Sequence, residues 1–368
     1  MKTIVVSAVN LRKGGTLTIL RDCLAYLSGL AATGEYRVVA LVHRKELAEY
    51  PGVQYIELPW TIKSWLFRLW CEYVTMYFIS LHLQPVDLWL SLHDTTPNVK
   101  ARRRAVYCHN PFPFYKWKWK ELFLNYHIVC FAWFSKYIYQ INIHKNDYIL
   151  VQQQWIRNAF VRLFHIREDK IIVTLPAVVK PVVKESSGKR QGNVYRFLFP
   201  SYCDIHKNFE MVCRAAALLE KETGPGKFKV LLTIGGTENT YAGTLFKKWG
   251  HTGSIEFAGF MSKSDLNETY KQADCLIFPS RVETWGLPIS EFAVYGKPML
   301  LADLPYAHET AAGSVQTAFF DPERPEQLTE QMLHLIQGDT SFLSAVPPLH
   351  IEEPISHNWR ELFDLLLK

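Results

Sequence analysis

Apolar residues fall in short blocks along the chain, and the spacing inside each block predicts its structure. Thr3–Ala8 is rich in β-branched residues and predicts a buried strand. Thr16–Leu30 places its apolar residues at helical intervals, and Arg37–Val42 predicts a second strand. A β-α-β rhythm of this kind implies a parallel sheet covered on both faces. The rhythm breaks at Val179–Tyr195, whose Pro, Ser, Gly and charged residues predict a linker. It restarts with a strand at Arg196–Pro200, a helix at Phe209–Lys221 and a strand at Val230–Ile234 that ends on Gly235-Gly236. Strands at Ser254–Ala258 and Asp274–Phe278 follow, with a helical Lys263–Lys271 between them, and Trp359–Leu367 predicts a final helix. The expectation is α/β: two Rossmann-like domains over residues 1–185 and 192–352, then a terminal helical segment over 353–368. Ligands of such sheets bind beyond the carboxyl ends of the strands, so the loops there are where chemistry is expected.

Composition narrows the picture. A chain of 368 residues with 48% hydrophobic content suits two packed domains and excludes disorder. No run reaches the roughly 18 apolar residues of a membrane span, since Asn125 and His127 interrupt the longest, Leu122–Phe134. Arg12-Lys13 follows the first apolar run where a signal peptide would need a cleavage site, so that run is expected to be a buried strand. The seven cysteines are scattered without a Cys-x-x-Cys, which points to free thiols in a reducing cytoplasm. Charge is uneven. Residues 1–190 hold 26 Lys+Arg against 13 Asp+Glu, a net +13, whereas residues 191–368 hold 15 against 22, a net −7. The basic half is expected to face something anionic: nucleic acid, a phosphorylated substrate or a membrane surface.

The most specific segment runs from Phe278 to Glu291, FPSRVETWGLPISE. It follows an apolar strand, carries a glycine, and enters a helix through Pro288, which suits a first helical turn. Amides at Gly286 and Leu287 would lie at a positive helix end, suited to an anion. Glu283 and Glu291, eight positions apart, can face one crevice and hold hydroxyls. This segment resembles the E-x7-E motif of family-4 glycosyltransferases. Lys207-Asn208, Gly235-Gly236, Phe257-Ala258-Gly259-Phe260 and Pro298-Met299-Leu300 follow that family's order as well. The resemblance covers residues 196–335 closely and the first half loosely. It implies a GT-B fold with two domains facing a central cleft and a last helix crossing back to the first domain. It further implies a nucleotide-sugar donor, UDP- or GDP-linked, no cofactor and no metal. Glu283 would then contact the donor sugar, Glu291 the ribose, and Gly286, Leu287 and Gly235 the donor. Lys207 would neutralise the departing diphosphate. The family commonly has an Arg about five residues before this Lys. This chain has Ser201-Tyr202-Cys203 there, which leaves Arg281 or Lys13 as the second cation.

In the first half, Gly14 and Gly15 lie between the first strand and first helix. There they either approach the donor diphosphate, as a similar loop does in that family, or form a plain tight turn. His109, at another strand end, matches a family histidine beside the reacting centre, with His93-Asp94 as a rival and a structural histidine as the alternative. Residues 111–120, PFPFYKWKWK, interleave aromatics with lysines, close in sequence to Arg102-Arg103-Arg104. That mixture suits a peripheral membrane face, with single-stranded nucleic acid and ordinary buried aromatics as alternatives. The expected function is transfer of a sugar to a glycan or polyprenyl-linked acceptor, with retention, in O-antigen or capsule synthesis at the inner face of the cytoplasmic membrane. No nucleic acid partner is expected. A catalytically silent glycan- or nucleotide-binding protein, and a sugar-nucleotide epimerase or phosphorylase, are the alternatives.

Overall fold

The computed structural model describes residues 1–115, 117, 119, 126–176 and 194–368. The chain forms two compact units. One comprises Met1–Phe114, Phe131–Ala177 and Ile351–Lys368, the other Tyr115–Cys130 and Val178–His350. The expected linker at Val179–Tyr195 lies almost wholly outside the described residues.

The first unit is built on eight parallel strands: β1 (Lys2–Ala8), β2 (Tyr36–Val42), β3 (Val53–Glu57), β4 (Leu88–Ser91), β5 (Arg103–Tyr107), β6 (Tyr148–Val151), β7 (Ile171–Thr174) and, from the chain's end, β14 (Ile355–Ser356). Their order across the sheet is β14-β7-β6-β5-β4-β1-β2-β3. Sequence neighbours therefore run outward in opposite directions from β1 and β4. Strands such as Ile4–Val6 and Leu88–Leu90 are buried on both faces, which is why they read as continuous apolar runs rather than alternating ones. Helix α1 (Gly14–Ala32) and the last helix, α12 (Trp359–Leu367), share one face. Leu20, Leu24 and Leu27 of α1 pack into the same core as Leu362, Phe363 and Leu366 of α12. Each such buried side chain contributes about 1.5–3 kcal/mol. Helix α2 (Trp65–Trp70) continues through a π-turn, Cys71–Thr75, into α3 (Met76–His82). Helix α4 (Tyr126–Gln140), counted in this unit from Phe131 onward, and α5 (Gln154–Phe164) follow. Two members of the basic triplet bond within this unit: Arg102 pairs with Asp87 at 3.1 Å and Arg103 donates to the Leu366 carbonyl.

The second unit repeats the plan with β8 (Tyr195–Phe199), β9 (Phe228–Leu232), β10 (Ile255–Phe257), β11 (Cys275–Phe278), β12 (Met299–Ala302) and β13 (Thr317–Phe320). These are ordered β10-β9-β8-β11-β12-β13 and pair in parallel. Helices α6 (Phe209–Thr223), α7 (Thr240–Trp249), α8 (Lys263–Gln272), α9 (Leu287–Ala293), α10 (Pro305–Thr310) and α11 (Pro325–Gln337) join them. Strand β9 ends at Leu232, short of the expected Ile234. Thr233 leaves the ladder to bond Ser201, its Oγ1 accepting the Ser201 amide at 2.9 Å and donating to the Ser201 carbonyl at 3.1 Å. Among the described residues no helix is long and apolar enough to cross a membrane.

One buried cation ties the chain's end to the first unit. Arg157 on α5, 1% exposed, donates to the carbonyls of Glu352 and Glu353 at 2.7 Å each. Those carbonyls lead directly into β14. Arg157→Leu leaves them unsatisfied and is expected to destabilise this attachment by about 2–4 kcal/mol. Limited proteolysis should then release the segment Ile351–Lys368 faster than in the parent protein, and an unchanged cleavage rate would contradict this role.

Candidate functional site

The second unit's strand order reverses between β8 and β11, and the loops leaving these two neighbours meet above the sheet. A crevice is expected at such a switch point. After β8 the chain makes a tight turn at Ile205–Lys207 and enters α6 through Asn208, which takes the left-handed conformation (φ 61°). Asn208 is buried, and its amide donates to the carbonyls of Pro279 (3.3 Å), after β11, and Pro322 (2.9 Å), after β13. Three strand-end loops are thereby fixed by one side chain. Lys207, beside it, donates to Glu283 Oε1 at 2.5 Å, with both side chains largely shielded from water. Two of the expected catalytic residues, 76 positions apart, are therefore in contact.

Gly286 adopts φ 87° and caps α9. A Cβ there would lie 3.3 Å from Ile289 Cδ1 and 3.5 Å from the Phe278 ring, which leaves tight but usable space, so it is the left-handed backbone that favours glycine. Leu287 begins the helix and is half-exposed. With seven residues α9 has only two turns, so an anion here would depend on Lys207 and individual amides more than on a helix dipole. Glu291 accepts from the Tyr270 hydroxyl at 3.0 Å. Burial first, then the carboxylate, pushes the Tyr270 phenol far above its ordinary value, so it stays a donor. Tyr306 is buried against Gly286 and donates to the Ser280 carbonyl at 2.7 Å; Thr310 donates to the Trp285 carbonyl. These bonds fix the loop that carries Glu283.

Two expected donor-binding groups have partners within the chain. Arg281 bonds Glu323 at 2.9 Å. The amides of Gly235 and Gly236 donate to the Glu238 carboxylate at 2.5 and 2.9 Å. Burial would raise the Glu238 pKa, but this set of amides outweighs it and holds the carboxyl below its usual range. The glycine loop is thus an anion nest that this chain fills with its own side chain. Tyr270, Tyr306 and Glu238 carried no spacing signal in the sequence.

In the first unit, Gly14 lies at the switch point between β1 and β4. It takes φ 62°, while Gly15 shows no such constraint and has open space around it. Asp94 after β4 accepts the amides of His109 (2.6 Å) and Asn110 (3.0 Å). His109 follows β5 and packs on Tyr107, ring centroids 4.2 Å apart. Its Nε2 lies 2.9 Å from the Leu92 carbonyl, which only accepts, so Nε2 carries the proton and Nδ1 is a buried acceptor without a partner. Burial lowers its pKa, and nearby Asp94 offsets this only partly. His93, by contrast, is fully committed, with Nδ1 at 3.0 Å from Thr95 and Nε2 at 3.0 Å from Ser7.

Residues 184–342 match the family model described as "Glycosyl transferases group 1". The chain is 25% identical over 203 residues to the O-antigen chain mannosyltransferase B of Escherichia coli; the match spans 52% of this chain and 52%, about half, of that relative. It also superposes on the structure of WaaG, a glycosyltransferase involved in lipopolysaccharide biosynthesis, with TM-score 0.61 and 14% identity over 91% of this chain and 90% of that one. Anabaena HepE in complex with UDP-glucose gives TM-score 0.60 and 15% identity over 93% and 92%.

Burial also pushes the His93 pKa down, so both histidines are neutral in the folded first unit. Unfolding lets them return to ordinary values near 6.5 and take up protons below that pH. Stability of this unit is therefore expected to fall as pH drops through about 6.5, and His109→Gln should flatten the slope in pH-dependent denaturation. Separately, Gly286→Ala should cost about 1–2 kcal/mol through the forced left-handed backbone alone, read as a lowered melting temperature.

Proposed function

We propose that this chain, whose residues 184–342 match the group 1 glycosyltransferase model and whose fold is GT-B, transfers one hexose from a nucleotide diphosphate to a glycan acceptor in bacterial surface-polysaccharide synthesis. The observation that carries the reading is the Lys207–Glu283 pair at the second unit's switch point. A sugar diphosphate offers each member a partner of its own, phosphate oxygens for the ammonium and sugar hydroxyls for the carboxylate. Lys207 then stabilises the charge that grows on the leaving diphosphate as the glycosidic bond breaks. Glu291, oriented by Tyr270, takes the ribose hydroxyls, and the amides at Gly286 and Leu287 take phosphate oxygens. Arg281 and Gly235 serve the donor only if they exchange Glu323 and Glu238 for it. In the first unit, His109 Nδ1 accepts a hydroxyl proton in a hydrogen bond, and Gly14-Gly15 let the backbone approach phosphate. No metal is needed, because Lys207 supplies the positive charge, and the leaving phosphate itself guides front-face attack with retention. UDP- and GDP-sugars are the donor classes that fit this reading. The similarity to an O-antigen mannosyltransferase favours an O-antigen setting with a lipid-carried acceptor at the inner face of the cytoplasmic membrane.

The test is a panel of UDP- and GDP-sugars read by thermal stabilisation and by nucleotide release with acceptor. One donor should raise the melting temperature by mass action. Lys207→Ala should lower turnover by about 100-fold or more, and Glu291→Ala should abolish the donor's stabilising shift. Turnover should persist in excess chelator. Stabilisation without turnover on any acceptor would replace this reading with that of a silent binding protein, and no stabilisation by any nucleotide sugar would end it.

A further inference from the structure

The first unit bears a surface that the site does not use. Along α2, the π-turn and α3, Leu66, Trp70, Val74 and Phe78 recur every fourth residue. In an uninterrupted α-helix such a row drifts about 40° per step. The wider turn at Cys71–Thr75 counters that drift and keeps the row on one face. Leu66 is 77%, Trp70 60% and Phe78 55% exposed, although a helix of this composition normally turns such residues inward. Beside the row lies an apolar groove of about 450 Å³ lined by Ile56, Trp70, Val74, Phe78, Ile79 and Leu83. The Trp65 ring meets Phe131 of α4 at 5.9 Å. This contact, made by neighbours of the two groups in the chain, places α2 beside the helix that exposes a second set, Trp133, Phe134 and Tyr137.

Charge identifies the occupant. Between Leu58 and Leu83 the single carboxylate is Glu72, which is buried and paired with Arg68 at 2.8 Å, and residues 122–146 contain no acidic residue. The basic groups on these segments include Lys63, near the start of α2, and Lys136, whose ammonium lies 4.8 Å from the Tyr137 ring centre. A second copy of the chain docked through this face would set these cations against their own duplicates with no carboxylate to answer them. An anionic lipid surface neutralises them and accepts Trp and Tyr at the level of its head groups.

We propose that the Leu66–Trp70–Phe78 row and the Trp133–Phe134–Tyr137 set form one docking face for a bilayer rich in anionic phospholipid. The purpose of such docking rests on the lipid-carried acceptor proposed above; the geometry does not. Flotation of the full chain with phosphatidylcholine vesicles, with and without phosphatidylglycerol, tests it. Binding is expected only with phosphatidylglycerol present, weakening with salt, and accompanied by a blue shift of tryptophan emission. The combined variant Leu66→Glu, Trp70→Glu, Phe78→Glu should bind at least tenfold more weakly while keeping the thermal shift given by the nucleotide sugar. Should that variant fail to fold, Lys63→Glu with Lys136→Glu is expected to lose the anionic preference instead. Undiminished vesicle binding by both variants would overturn the proposal. So would a dimeric parent protein that the first variant converts to monomer. Vesicle binding that persists when no nucleotide sugar stabilises the chain would count against the enzymatic reading alone.

Discussion

The contact between Lys207 and Glu283 joins the loops after β8 and β11, and it exists because of strand order. In a parallel sheet all strands end on the same side, so two loops converge only where neighbours lead outward in opposite directions. Here that place is the gap between β8 and β11. The pair is well shielded from water. Removing one member of such a pair strands the other charge at a cost of about 3–5 kcal/mol. Exchanging partners carries no such penalty, since each group stays satisfied. A ligand that brings both anionic oxygens and hydroxyls can therefore open the pair cheaply, whereas one that brings a single kind of group cannot. Under the function proposed above, that asymmetry would favour a sugar phosphate over phosphate alone.

The surroundings keep the pair in register. Asn208 binds the loops after β11 and β13, while Tyr306 and Thr310 hold the backbone at Ser280 and Trp285 on either side of Glu283. Each is a side chain bonded to a carbonyl, which fixes the loop without adding charge. Glu238 does the opposite at Gly235-Gly236, where it brings charge to a ring of amides that would otherwise attract an outside anion. The two devices leave Lys207 facing one crevice with a definite partner.

Most of the architecture was legible because buried parallel strands write themselves as apolar runs. Thr3–Ala8, Arg37–Val42 and Trp359–Leu367 fall where the pattern placed them, within a residue. The E-x7-E segment was legible because Gly286 and Pro288 have local backbone reasons to be there. What the pattern could not carry was anything settled by tertiary contact. Tyr270 reaches Glu291 across 21 positions from a different helix. Glu238 carries no signal in the pattern, yet the glycine amides close on its carboxylate. The π-turn at Cys71–Thr75 has no composition signature, and without it the row from Leu66 to Phe78 reads as one more core helix.

That π-turn also links the exposed row to the polar interior of the first unit. It presents Glu72 inward, where the carboxylate accepts from Arg68 at 2.8 Å and from Thr95 at 2.6 Å. Arg68 also donates to the His93 carbonyl at 2.9 Å, and the next residue, Asp94, holds the amides of His109 and Asn110. A chain of charge-assisted hydrogen bonds thus runs from the helix bearing Trp70 to the loop bearing His109. Buried networks of this type are stable only when every member is satisfied, so a change in α2 reaches Glu72 before it can be absorbed elsewhere. The apolar face and the His109 loop are therefore two ends of one hydrogen-bonded network that runs through Glu72, Arg68 and Asp94.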